Sequence, residues 1–191
     1  MKKIFNMMAG LALALCFGCG VTSVYPFYTT RDVVFEPALV GTWVESNSTN
    51  PADEQWRFER IEGQAYKLTG IEKDKQTEFD THLFKLKGQL FLDCRPRDRM
   101  DDAVPPHYLL KVTRLDPTLD MAMMNYDWLK NLIEKDPKAI RHIVVARKLG
   151  ESGDAQVVLT ADTAELQKFI LNHEKTEGVF NDVTVLKRRK E

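Results

Sequence analysis

Gln55-Trp56-Arg57-Phe58-Glu59-Arg60-Ile61 sets Trp56 and Phe58 on one face and Arg57 and Glu59 on the other. Successive side chains of an extended backbone point to opposite sides, so this order belongs to a strand with one face buried and one in water. The pattern continues in both directions. Ala65-Tyr66-Lys67-Leu68-Thr69 alternates likewise, and residues 77–86 and 89–94 follow, joined through Lys87-Gly88, a pair suited to a tight hairpin. Residues 107–115 carry Tyr108, Leu110 and Val112 on one face, and Asp116-Pro117 ends them. Leu119, Met121 and Met123 then alternate with Asp120 and Ala122. Toward the N-terminus, Gly41-Thr42-Trp43-Val44-Glu45 reads as the first strand. Residues 139–147, 156–159 and 183–188 bring the set to about ten strands.

Two stretches change period. Asp127-Trp128-Leu129-Lys130-Asn131-Leu132-Ile133 places Trp128, Leu129, Leu132 and Ile133 on one helical face, with Asn125 or Asp127 as cap and Asp136-Pro137 as stop. Asp162-Thr163-Ala164-Glu165 opens a second helix with a capping-box-like start, and Leu166, Phe169 and Ile170 form its apolar stripe. Many strands, short connections and few helices exclude a βαβ alternation. The expected fold is mainly β: an antiparallel up-and-down barrel of about eight to ten strands with two helices, or another β-rich barrel or sandwich.

Glu36-Pro37-Ala38-Leu39-Val40-Gly41-Thr42-Trp43 resembles the start of a lipocalin-type, or calycin, barrel. In that superfamily a short helical turn leads into a first strand carrying Gly-x-Trp, and a basic residue of the last strand packs over the Trp. The resemblance implies that Gly41 and Trp43 close one end, with Arg188 or Lys187 as the basic partner. A helix just before the last strand, at residues 163–173, fits the same layout. A guanidinium on an indole face is worth ~0.5–2 kcal/mol.

Ahead of this domain, Lys2 and Lys3 precede an uncharged, mostly apolar run, residues 7–18, ending in Gly18-Cys19-Gly20. A basic start, an apolar stretch and a small residue form a secretory signal. A cysteine after the cleavage point resembles a bacterial lipoprotein signal, which implies a lipidated N-terminal Cys19 and a protein held to the membrane through fatty acids. Two other readings stay open: an uncleaved anchor over residues 4–24, and an ordinary cleaved signal. On the lipoprotein reading, residues 1–18 are removed, 19–30 form a tether and 31–191 form a single domain; docking of Tyr25, Phe27 and Tyr28 on that domain is the alternative for the tether. Gly20 rather than Asp after the cysteine resembles outer-membrane sorting in bacteria with two membranes. The protein would then face the periplasm. The chain also resembles the small exported lipoproteins common in bacteria.

The chain carries 27 Lys and Arg against 28 Asp and Glu, and all the acids lie after Gly18, so nothing draws a polyanion such as nucleic acid. Beyond Cys16 and Cys19 the remaining cysteine is Cys94, which reads as an inert thiol near a strand end. Cys16-Phe17-Gly18-Cys19 has redox or metal spacing, but a targeting segment is the wrong setting for either. His82, His107, His142 and His173 form no His-Glu-x-x-His and no i, i+4 pair, so no metal is assigned, although a composite site stays open. Ser46, Ser48 and Ser152 stand outside any Gly-x-Ser-x-Gly, and no phosphate-binding Gly-rich loop occurs, so neither a catalytic residue nor a cofactor is assigned. Asp93, Asp98, Asp101 and Asp102 interleave with Arg95, Arg97 and Arg99 in a Pro-marked loop, a pattern of self-paired surface charge. Met121, Met123 and Trp128 read either as core or as the lining of a soft cavity.

The leading expectation is a non-enzymatic, lipid-anchored envelope protein that holds a small apolar ligand or supports an envelope assembly. A filled barrel would favour a protein–protein interaction module instead. A hydrolase-type enzyme is the third class and requires His107, Asp93 and Asp101 to converge on one cleft.

Overall fold

A computed structural model of the chain describes residues 21–48, 50–97, 106–145 and 155–190. The alternating stretches form β2 (Gly41–Glu45), β3 (Glu54–Arg60), β4 (Ala65–Glu72), β5 (Lys75–Leu86), β6 (Gln89–Pro96), β7 (His107–Arg114) and β8 (Thr118–Met123). Each pairs antiparallel with the next. The last strand, β11 (Val183–Arg188), pairs antiparallel with both β8 and β2 and closes an eight-stranded barrel. Three further strands extend it: β1 (Thr22–Ser23), β9 (His142–Val145) and β10 (Gln156–Leu159). Two helices, α1 (Tyr126–Lys135) and α2 (Thr163–His173), lie between β8 and β11 in the chain. Asn125 caps α1 by accepting from the Trp128 amide, and Asp162 caps α2 by accepting from the Glu165 amide.

The turns follow the sequence signals. Leu86 pairs with Gln89, leaving Lys87 and Gly88 at the hairpin tip with φ of 45° and 92°. Two positive φ values match the right-handed twist of the flanking strands, and a glycine adopts one without a Cβ clash.

The barrel is filled. Trp43, Phe58, Tyr66, Phe79, Leu83 and Leu92 are essentially inaccessible and pack into one interior cluster. A second core lies outside the wall. Neighbours along a strand point opposite ways, so Leu83, Leu92 and Leu110 face inward while Phe84, Phe91 and Leu109 face outward. The outward set packs against Leu129 and Ile133 of α1, Phe169 and Ile170 of α2, and Leu159 of β10. Strands buried on both faces read as apolar doublets, Leu83-Phe84, Phe91-Leu92 and Leu109-Leu110, rather than as alternation.

One end of the barrel is closed at Trp43. A 3-10 turn, Pro37–Leu39, enters β2. Trp43 Nε1 donates to Leu39 O at 2.9 Å. Arg188 pairs across the sheet with Trp43, and its guanidinium carbon lies 4.5 Å from the indole centroid. The same guanidinium donates to Val40 O at 2.9 Å and to Ala38 O. Three successive carbonyls of the turn are thereby satisfied by Trp43 and Arg188. Gly41 has φ of 135°, and a Cβ there would stand 2.6 Å from Arg188 Nη1, so only glycine leaves room. Lys187, the other basic residue considered, donates instead to Ser46 O at 3.1 Å.

Two expectations are corrected. From Val21 onward the segment read as a tether is part of the fold. β1 pairs antiparallel with the start of β7 and parallel with β10, and Val21 and Phe27 are buried in the second core. Burial of those side chains and backbone pairing on both edges of β1 outweigh the chain entropy a free tether would keep. Met121, Met123 and Trp128 do not line a common cavity. Met121 lies in the barrel core with Met123 packed against it, whereas Trp128 of α1 joins the second core beside Phe169 and His173. Strand alternation turns the methionines inward, and the helix lies outside the wall. Residues 1–20, the acidic loop positions 98–102 and Ser152 fall outside the described residues.

Candidate functional site

A chemically varied groove of about 480 Å³ lies on the outer wall, lined by Pro26, Tyr28, Ile61, Ala65, Asp80, His82, Asp93, Arg95 and His107. Register builds it. His82 of β5 faces Asp93 of β6, and Asp80 faces Arg95, so a polar patch runs across two strands. His107 opens β7, and residues 26–28 cross above. Helix α2 holds that crossing segment, since Thr163 Oγ1 donates to Pro26 O at 2.8 Å and Gln167 Nε2 to Phe27 O at 3.1 Å.

Asp93 is the anchor of the groove. It is 1% exposed, accepts from the Phe27 amide at 2.9 Å and meets His107 Nδ1 at 2.7 Å. A carboxylate only accepts, so His107 carries a hydrogen on Nδ1, and Asp93 sets both the tautomer and the ring's orientation. The Tyr28 ring stacks on His82 with centroids 4.5 Å apart. Burial pushes the Tyr28 phenol up to about 12, with the Asp93 charge adding to it. Burial also holds His82 below the ordinary imidazole value, outweighing the opposite pull of Asp93 and Asp80. Asp80 is taken up by Arg95 at 3.2 Å and by Arg97 at 2.8 Å. The groove thus offers stacked rings, an oriented imidazole and a neutralised carboxylate, a combination suited to a small polar or aromatic group.

Of the residues singled out in the sequence, Asp93 and His107 meet here, while Asp101 lies outside the described residues. His142 is spent on Ile140 O at 2.8 Å, and His173 packs between Trp128 and Phe169. Among the described residues no three His, Cys, Asp or Glu side chains are arranged to hold a metal. Cys94 points into the barrel, fully buried beside Thr81 Oγ1 at 3.6 Å, and burial pushes its thiol up to about 12. It is not a nucleophile. Sequence reading missed Asp80, and it named His82 only as one of four scattered histidines and Tyr28 only as an aromatic of the N-terminal segment. The signal available was the outward phase of β5, which Phe84 and Leu86 share. Comparison with protein-family models, curated proteins and solved structures finds no match to the chain.

Proposed function

We propose that the protein is a lipid-anchored, non-enzymatic cell-envelope lipoprotein with a calycin-like barrel that recognises its ligand or partner on the outside of the barrel, not within it. One observation carries this reading: the interior is filled by interlocked side chains such as Trp43, Phe58 and Phe79, while the groove of about 480 Å³ lies on the outer wall. The lipid anchor rests on the sequence around Cys19. Two measurements test the proposal. A clickable fatty acid fed to cells should label the wild type and not Cys19→Ser. Native mass spectrometry of the extracted protein should show a bound small molecule that is lost in His82→Ala and retained in Met121→Ala. The opposite pattern overturns the outer-wall assignment, and equal fatty-acid labelling overturns the anchor.

A second reading is favoured by the Asp93–His107 hydrogen bond. A histidine held by a buried carboxylate is the arrangement of a general base. With no serine or thiol among the described residues that line the groove, such a base would act on water or on a substrate hydroxyl. Turnover of a hydrolysable substrate by the wild type but not by His107→Gln would move the protein into that class.

A further inference from the structure

We infer that the edge strand β9 rests on the lipid bilayer, with Ile143, Val144 and Val145 in the interfacial layer, so that the domain is held in one orientation against the membrane. The inference rests on the lipidation of Cys19 proposed above.

The first support is chain length. Gly20 alone stands between Cys19 and Val21, and Val21 is already buried in the fold at 4% exposure. Consecutive Cα atoms are ~3.8 Å apart, so the acylated residue lies within about 8 Å of Val21. No tether lifts the domain from the bilayer.

The second support is register. Thr22 pairs with Val158, and Val158 pairs with Ile143, so Ile143 lies two strands from Thr22, about 10 Å at ordinary strand spacing. β1 runs parallel to β10, and β9 runs antiparallel to both. Moving from Thr22 toward Cys19 therefore corresponds to moving forward from Ile143 to Val144 and Val145. β9 points its C-terminal end the way the chain leaves toward the anchor.

The third support is surface character. Ile143, Val144 and Val145 are 51%, 57% and 44% exposed, on both faces of a strand whose outer edge has no partner among the described residues. Three consecutive exposed β-branched residues on a free edge are an aggregation hazard in water. At the boundary between headgroups and acyl chains they bury apolar surface while the free backbone edge keeps water and headgroups as partners. The hydrocarbon centre would deny the backbone those partners, so the strand lies at the interface and does not span.

The test uses the full-length acylated protein in phosphatidylethanolamine and phosphatidylglycerol vesicles. Val144→Cys is labelled with an environment-sensitive maleimide dye. Buried Cys94 is withheld from the reagent, and Cys19 is blocked by its lipid. Asp74→Cys is the control. It is exposed at the β4–β5 tip, where Glu72 pairs with Lys75, beyond the Phe79–Pro96 pair and so at the His107 end of the barrel, whereas β1 runs back toward Cys19 in the direction of Val112. Nitroxide-bearing lipids should quench the dye at position 144 roughly twofold or more over that at 74, with a blue-shifted emission at 144. Equal quenching on protein whose Cys19 carries fatty acid overturns this inference and leaves the lipoprotein reading standing. Oxidative cross-linking of two copies of the unlabelled Val144→Cys variant, without quenching of the labelled one, also overturns it by giving the edge to a second chain. Absence of fatty acid on Cys19 overturns the lipoprotein reading and this inference with it.

Discussion

Arg188 acts on Trp43 and on the backbone of the turn below it. The indole is fully buried, so Trp43→Ala removes packing throughout the closed end and should cost about 3–5 kcal/mol, read as a large drop in the denaturation midpoint. Arg188→Ala leaves the Val40 and Ala38 carbonyls to water, and its exposed position softens that loss. Its cost should be smaller, and smaller still in the Trp43→Ala background, because the two side chains share one contact. Fully additive losses would contradict that coupling. Gly41→Ala drives a methyl into the guanidinium and should reproduce much of the Arg188→Ala loss.

His82 supplies a second test at this scale. Burial lowers its pKa below the ordinary 6.5. Above that value both folded and unfolded forms are neutral and nothing changes. As pH falls through it, the unfolded chain takes up the proton first, so stability drops and levels off only below the folded value. Denaturation midpoints measured at about pH 7.5 and about pH 5 should differ less in His82→Gln than in the wild type. His173, also lowered by burial, leaves a residual dependence in the variant. An unchanged pH response would show that His82 is as solvated in the folded state as in the unfolded.

At the scale of elements, β1 is short but placed where it matters. It fills the gap where β8 leaves β7, since β7 pairs with β8 from Leu110 onward and with β1 at His107 and Tyr108. Through β1 the barrel reaches β10 and β9. Residues 31–191, the domain expected from sequence, lack this connection and also Phe27, whose amide satisfies Asp93. Burial of Val21 and Phe27 alone is worth about 3–6 kcal/mol. A chain beginning at residue 31 should therefore unfold at a lower denaturant concentration than one beginning at residue 21. Amide exchange should accelerate most in Gln156–Leu159. Equal stability of the two chains would mean that β1 docks without contributing.

For the whole molecule, the strand pattern of residues 55–61 and its repeats was enough to indicate a closed antiparallel barrel with two helices. Period two and period 3.6 are set by local backbone geometry, which a sequence displays directly. Cap residues at Asn125 and Asp162 and the Lys87-Gly88 tip were legible for the same reason: each acts within four residues. The second core was less visible, because a strand buried on both faces loses its alternation and the doublet Leu83-Phe84 does not say which side meets a helix. Residues 21–30 were opaque for want of any period, although Val21 and Phe27 are anchors of that core. The groove was the least legible part. Asp93 and His107 were noticed as chemistry-bearing types, but their meeting at 2.7 Å, the stacking of Tyr28 on His82 and the Phe27 amide on Asp93 join residues 14 to 66 positions apart. Local rules carry no information over such separations. The amino-acid order by itself determined which segments are strands and helices and where they turn. Tertiary structure alone decided that the barrel is filled, that a second layer covers its outer wall and that distant segments build one groove, because pairing register and face-to-face packing are settled only when the whole chain closes on itself.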